Sequence, residues 1–98
     1  MRVIAIEKAV PGVADEAFTA PLLREEAARA WELYQAGELR ELCFRADRQE
    51  AVLFLEVPDL AAARAVLAKL PLVRRGLIDF DLVPLAAYPG FARLFEGG

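Results

Sequence analysis

Ninety-eight residues carrying 12 Lys and Arg against 15 Asp and Glu have a net charge of −3, with no basic run to track phosphates, so nucleic acid is excluded as a partner. The chain holds no histidine and one cysteine, which removes imidazole acid–base shuttles, most zinc sites and any internal disulfide. It has room for a single core, yet 57% of it is hydrophobic, more than so small a core hides, and self-association is expected.

The first strand runs Arg2 to Ala9 and stops at Pro11-Gly12, a turn signal. Thr19 is placed to cap a helix with Pro21 in its first turn, and an earlier start near Asp15 stays open. Leu23, Ala27, Ala30, Trp31 and Tyr34 recur at helical spacing as its core stripe, while Glu25 and Glu26 precede Arg29 as a solvated ion-pair face. Gly37 ends that helix. Leu39 to Arg45 and Glu50 to Val57 read as a hairpin across the polar turn Ala46-Asp47-Arg48-Gln49. Asp59 caps a second helix from Leu60 to about Leu70, which Pro71 bends or ends, and Gly76 admits a fourth strand, Leu77 to Pro84. The tail, residues 86–98, carries Tyr88-Pro89-Gly90 and a short amphipathic stretch with Phe91, Leu94 and Phe95.

Strand, helix, strand, strand, helix, strand is the split βαβ order, so residues 1–98 are expected to form one α+β domain. The expected form is a ferredoxin-like βαββαβ sandwich, a four-stranded antiparallel sheet with two helices on one face. Period-two alternation sends Ile4, Ile6, Leu42, Phe44, Ile78, Phe80 and Leu82 toward the helices. It sends Val3, Ala5, Glu7, Glu41, Cys43, Arg45, Leu77, Asp79, Asp81 and Val83 to the other side, a mixed face suited to a second sheet across a wet cavity. Strand three fits either way, and one bulge inverts part of the assignment.

The run Leu70-Pro71-Leu72-Val73-Arg74-Arg75-Gly76-Leu77-Ile78-Asp79-Phe80-Asp81-Leu82-Val83-Pro84-Leu85 resembles the muconolactone isomerase-like branch of the dimeric α+β barrels, as does Gly37-Glu38-Leu39-Arg40-Glu41-Leu42 at the entry to strand two. The resemblance spans strand one through strand four. It implies a homodimer, or an assembly of dimers, whose sheets pack together, and a cofactor-free enzyme moving protons on an unsaturated lactone or similar small acid. The isomerases of that branch carry histidines in strand one and around strand two, where this chain reads Val3-Ile4-Ala5-Ile6-Glu7 and Arg40-Glu41-Leu42, so any proton transfer here uses other groups.

Carboxylates are the candidates, because burial lifts a carboxyl pKa toward neutrality and makes it a usable proton shuttle. Glu7 and Glu41 are the expected catalytic pair, with Arg40 or Arg45 holding a substrate carboxylate through two hydrogen bonds. Asp79, Asp81 and Tyr88 complete the expected substrate-binding set. The structural alternative is that these acids pair with arginines across strands or across a dimer. Asp79 and Asp81 stand about 7 Å apart on one strand face, but without further fixed ligands they make no metal site. Cys43, lacking a histidine to activate it, is expected to be a buried structural thiol. The tail is expected to pack on a partner subunit or over the cavity mouth.

Two functions remain in view. The first is the histidine-free isomerase-like enzyme just described, with no cofactor. The alternative is a non-catalytic module that binds a small acid or only stabilises an assembly. The first residues are too short an apolar run for a signal peptide and no segment reaches the length of a membrane span, so a cytoplasmic protein is expected.

Overall fold

β1 (Arg2–Ala9) lies between β3 (Ala51–Glu56) and β4 (Ile78–Leu85), and β2 (Leu39–Phe44) adds the outer edge beside β3. In this computed structural model, which describes residues 1–97, all the strand pairs are antiparallel. Helices α1 (Ala20–Gln35), α2 (Leu60–Leu67) and α3 (Pro71–Arg74) complete the ferredoxin-like α+β fold. Gly98, the last residue of the expected domain and tail, lies outside the described residues.

Local chemistry sets the helix bounds. Thr19 sits in extended backbone and its side chain accepts the Leu22 N–H at 3.3 Å, so α1 starts there and Asp15–Ala17 is a separate 3-10 turn. α1 ends where Gly37, at φ +80°, lets its own N–H reach the Tyr34 carbonyl and the Glu38 N–H reach that of Leu33. Asp59 accepts the Ala62 N–H at 2.7 Å and starts α2. Leu70, held extended before Pro71, separates α2 from α3, so the expected second helix is two pieces.

The core lies between the sheet and the helices. Val3 and Ala5 of β1, Leu53 and Leu55 of β3, and Ile78 and Phe80 of β4 meet Leu22, Leu33, Ala63, Val66, Leu67 and Leu72 there. This corrects the face assignment of β1. Val3 pairs with Leu55 and Ala5 with Leu53 and Leu82, which puts the smaller residues under the helices. Ile4 and Ile6 face the open side, beside Phe54, Val52 and Val83. Both sides of β1 are apolar, so no polarity contrast marks the buried one, and close helix packing selects the smaller set. Glu7 follows Val3 and Ala5 onto the helix side.

α1 is corrected in the same way. Its buried positions are Leu22 and Leu33, with half-buried Glu26 and Arg29 between them on one stripe. Trp31 and Tyr34, expected in the core, stack on each other at 5.5 Å and remain exposed, as does Leu23. Leu42 and Phe44 do point to the helix side, pairing with Leu53 and Ala51, but α1 leaves a groove beside Leu42 and both remain exposed. No helix among the described residues is long and apolar enough to cross a membrane.

Candidate functional site

The β1–β3 ladder ends at Ile6 and Val52, leaving the next N–H of β3, that of Ala51, without a strand partner. The Glu7 carboxylate accepts it at 2.9 Å. The side chain is therefore held at the end of the sheet, on the face toward the helices. Burial pushes the Glu7 carboxyl above its ordinary value; the hydrogen bond from Ala51 opposes the shift, and the charge of Glu50 adds to it.

Glu26 reaches inward from α1 and accepts the Leu72 N–H of α3 at 2.9 Å. Its carboxyl is also pushed up, mainly by burial; the hydrogen bond from Leu72 opposes the shift, Glu7 adds to it, and Arg74 works against it. The two acids are thus electrostatic neighbours reached from separate elements. One turn along the same stripe, Arg29 has its Nε buried without a hydrogen-bond partner while its Nη2 meets Glu32 at 3.1 Å. A buried donor with no acceptor is costly and invites an anionic or carbonyl oxygen. Glu7 and Glu26 can each take up and return a proton, and the Arg29 Nε–H can hold an oxygen.

Glu26 and Arg29, expected on a solvated face, are half-buried. The signal was present, since Leu22, Glu26, Arg29 and Leu33 recur at helical spacing. The more apolar stripe through Trp31 and Tyr34 concealed it.

The structure does not bring Glu7 and Glu41 together, because the sheet stands between them. Leu39 pairs with Leu55 but Glu41 pairs with Phe54, so Arg40 is an extra residue in a bulge. Bulges re-aim side chains, and this one lets consecutive Arg40 and Glu41 line the same cleft. That cleft, about 440 Å³, is completed by Arg2 and Glu56. Neither Arg2 nor Arg40 forms an ion pair among the described residues.

The remaining expected residues lie elsewhere. Arg45 is engaged in the β2–β3 turn by Asp47 at 2.6 Å and Glu50 at 3.7 Å. Asp81 and Asp79 share Lys8 on the open face, at 2.8 and 3.8 Å. Tyr88 packs edge-to-face on Phe91 in the tail. Cys43 is exposed on the open face, not buried as expected, and donates to Glu41 at 3.5 Å. Its thiol is pushed up by partial desolvation and by Glu41, away from a reactive thiolate.

The chain is thus a small α+β protein with an acid pair, Glu7 and Glu26, on the helix side of a ferredoxin-like sheet. The chain belongs to the muconolactone delta-isomerase family, which matches residues 3–90. A crystal structure of muconolactone isomerase is similar in fold, with a TM-score of 0.74 and 24% identity over 91% of this chain and 92% of that one. No curated protein matches the chain.

Proposed function

We propose that this protein is a cofactor-free isomerase that moves a double bond in an unsaturated lactone or similar small acid, and that it works as a homodimer. The observation that carries the reading is the Glu7–Glu26 pair, two half-buried acids whose pKa values are raised at one place on the helix side of the sheet. Glu26, in its ionised form, takes the acidic ring proton at the end of the conjugated system far from the lactone carbonyl. The C–H electron pair becomes a dienolate, and the same carboxyl returns the proton at the carbon next to the carbonyl, so no proton is gained or lost. Glu7, in the protonated form that burial favours, donates to the developing enolate oxygen. Arg29 supplies its unused Nε–H to the substrate carboxylate.

The homodimer reading rests on the open face, where Ile4, Ile6, Val52, Phe54 and Val83 form an apolar centre rimmed by Lys8, Asp79, Asp81 and Arg2. Apolar centre and charged rim are the usual anatomy of a protein interface.

A second reading, a non-catalytic binder of small acids, is favoured by one observation. Arg2 and Arg40 face a common cleft without ion-pair partners among the described residues, a pair suited to a carboxylate. The two readings separate in an ultraviolet assay of double-bond migration with muconolactone and related unsaturated lactones. Turnover that is lost in Glu26→Gln and retained in Arg40→Ala is the expected result. No turnover by folded protein overturns the isomerase reading, and a dissociation constant for small carboxylates that rises in Arg40→Ala then supports the binder.

A further inference from the structure

We propose that Arg45 is a positioning residue for Glu7: by closing the β2–β3 turn through Asp47 and Glu50, it fixes the one peptide group that holds the Glu7 carboxylate. What Glu7 then does in isomerisation rests on the reading above. That Arg45 holds it in place is testable without substrate.

The backbone alone closes this turn weakly. Its residues, Ala46-Asp47-Arg48-Gln49, lack the glycine that tight hairpin turns use. The Arg45 N–H donates to the Glu50 carbonyl at 2.9 Å, but the Glu50 N–H turns away to the Arg48 carbonyl at 2.8 Å. A hydrogen-bonded antiparallel pair exchanges two bonds, so half of the closure is missing. Side chains make it up. Arg45 donates from Nε to Asp47 Oδ1 at 2.8 Å and from Nη2 to Asp47 Oδ2 at 2.6 Å, a two-bond fork within the turn. Its Nη1 reaches Glu50 Oε1 across the mouth at 3.7 Å, and Arg48 Nε meets the same oxygen at 3.4 Å.

The closure is carried directly to Glu7. The Glu50 carbonyl and the Ala51 N–H belong to one peptide group, whose oxygen accepts from Arg45 and whose N–H donates to Glu7 at 2.9 Å. Arg45, the peptide and Glu7 therefore form an unbroken chain across β3. The peptide is planar, so it cannot turn at one end without turning at the other, and hydrogen bonds in series polarise one another. Charge follows the same route. Glu50 adds to the upward shift of Glu7, and the two arginines on Glu50 offset part of that push. From the other elements, Glu26 of α1 faces Glu7 as a second acid, and Arg74 of α3 acts on Glu26.

The experiment follows Ala51 amide exchange and the Glu7 carboxyl titration by NMR in the parent, Arg45→Gln, Asp47→Asn and Glu50→Gln. Lys69→Gln, which removes the surface pair with Glu38 at 3.6 Å, serves as control and should move neither. In Arg45→Gln the Ala51 amide should exchange roughly tenfold to a hundredfold faster, the range set by a hydrogen bond to a charged group. Glu7 should titrate higher there, having lost the Ala51 bond and a cation that offsets Glu50. Asp47→Asn should give the same changes, smaller. Glu50→Gln should move Glu7 down, because a neighbouring negative charge goes while the backbone chain stays. A role in turn stability alone does not shift Glu7 in opposite directions. Ala51 exchange and Glu7 titration unchanged in Arg45→Gln, or Glu7 moved down, overturn the proposal, and Asp47→Asn decides it in the same way if Arg45→Gln does not fold. With a lactone substrate, kcat of Arg45→Gln should fall by up to about 10²-fold at unchanged KM, the cost of misplacing a catalytic group. Glu7 shifted as expected without any isomerisation removes the isomerase reading and leaves the positioning role; isomerisation with Glu7 unmoved does the reverse.

Discussion

Replacing Glu26 by glutamine separates function from structure at the proposed site. Gln keeps an oxygen for the Leu72 N–H, now accepted at 2.9 Å, but cannot ionise. A hydrogen bond to a charged group contributes about 1.5–3 kcal/mol and a neutral one about 0.5–1.5, so the exchange alone weakens the contact by roughly 1 kcal/mol. Against this, the carboxyl is pushed up chiefly by burial, so desolvation of its ionised form outweighs the help it receives. A carboxyl with a raised folded-state pKa contributes most below the unfolded value, and that contribution is lost as pH rises through the folded value. Glu26→Gln removes this loss. Its stability relative to the parent should therefore improve as pH rises above 4.5, the ordinary value, and at pH 7 the two should agree within about 1 kcal/mol, or roughly 4–8 °C in Tm. Activity should behave otherwise, since losing a general base costs about 10²–10⁴ in rate, or about 3–5 kcal/mol in the barrier. The assay is kcat/KM for lactone isomerisation against pH, beside thermal unfolding at the same pH values. The parent should show a rising limb above the ordinary carboxylate range, absent in Glu26→Gln. Parent-like kcat/KM in a folded Glu26→Gln would refute the role of this residue and leave it a cap on α3.

Three further outcomes follow from the fold and its faces. Glu26→Ala, unlike Gln, leaves the Leu72 N–H without its acceptor and should lower stability by about 1–3 kcal/mol in urea unfolding. Leu55→Ala, emptying a position 1% exposed in the middle of the core, should cost about 3–5 kcal/mol by the same measurement. Phe54→Glu places a charge at the apolar centre of the open face and should shift the chain toward monomer in sedimentation, with little change in monomer stability. An unchanged assembly would mean that the sheet faces do not meet.

Element order was legible because the punctuation was strong. Pro11-Gly12, Gly37, Pro58-Asp59 and Gly76 bound the elements with unambiguous chemistry, and β1 begins and ends where alternation and the turn place it. Which face of β1 is buried was not legible. Val3 and Ala5 against Ile4 and Ile6 is a choice between two apolar sets, decided by helix distance, which a local pattern does not encode. That one inversion carried Glu7 to the helix side and parted it from Glu41. The bulge at Arg40 was equally hidden, since only pairing with Leu55 and Phe54 exposes the extra residue. Glu26 lost its place to a brighter signal. Trp31 and Tyr34 belong to a real stripe, but it faces a groove and not the core, and hydrophobicity alone does not tell one from the other.

The lack of histidine and the position of the acids are two sides of one constraint. A carboxyl near its ordinary value is fully ionised at neutral pH and too weak a base for a carbon acid, so a histidine-free proton shuttle has to be taken out of water. The open sheet face does not do this: Glu41 is exposed there, and Asp79 and Asp81 are paired with Lys8. The helix side does, but only where backbone N–H groups are left over to hold a carboxylate in place. Ala51, just beyond the end of the β1–β3 ladder, and Leu72, in the first turn of α3, supply such groups, and Glu7 and Glu26 accept from them. Those contacts fix the acids while burial raises their pKa, so the residues that complete the fold are the ones on which the proposed proton transfer rests.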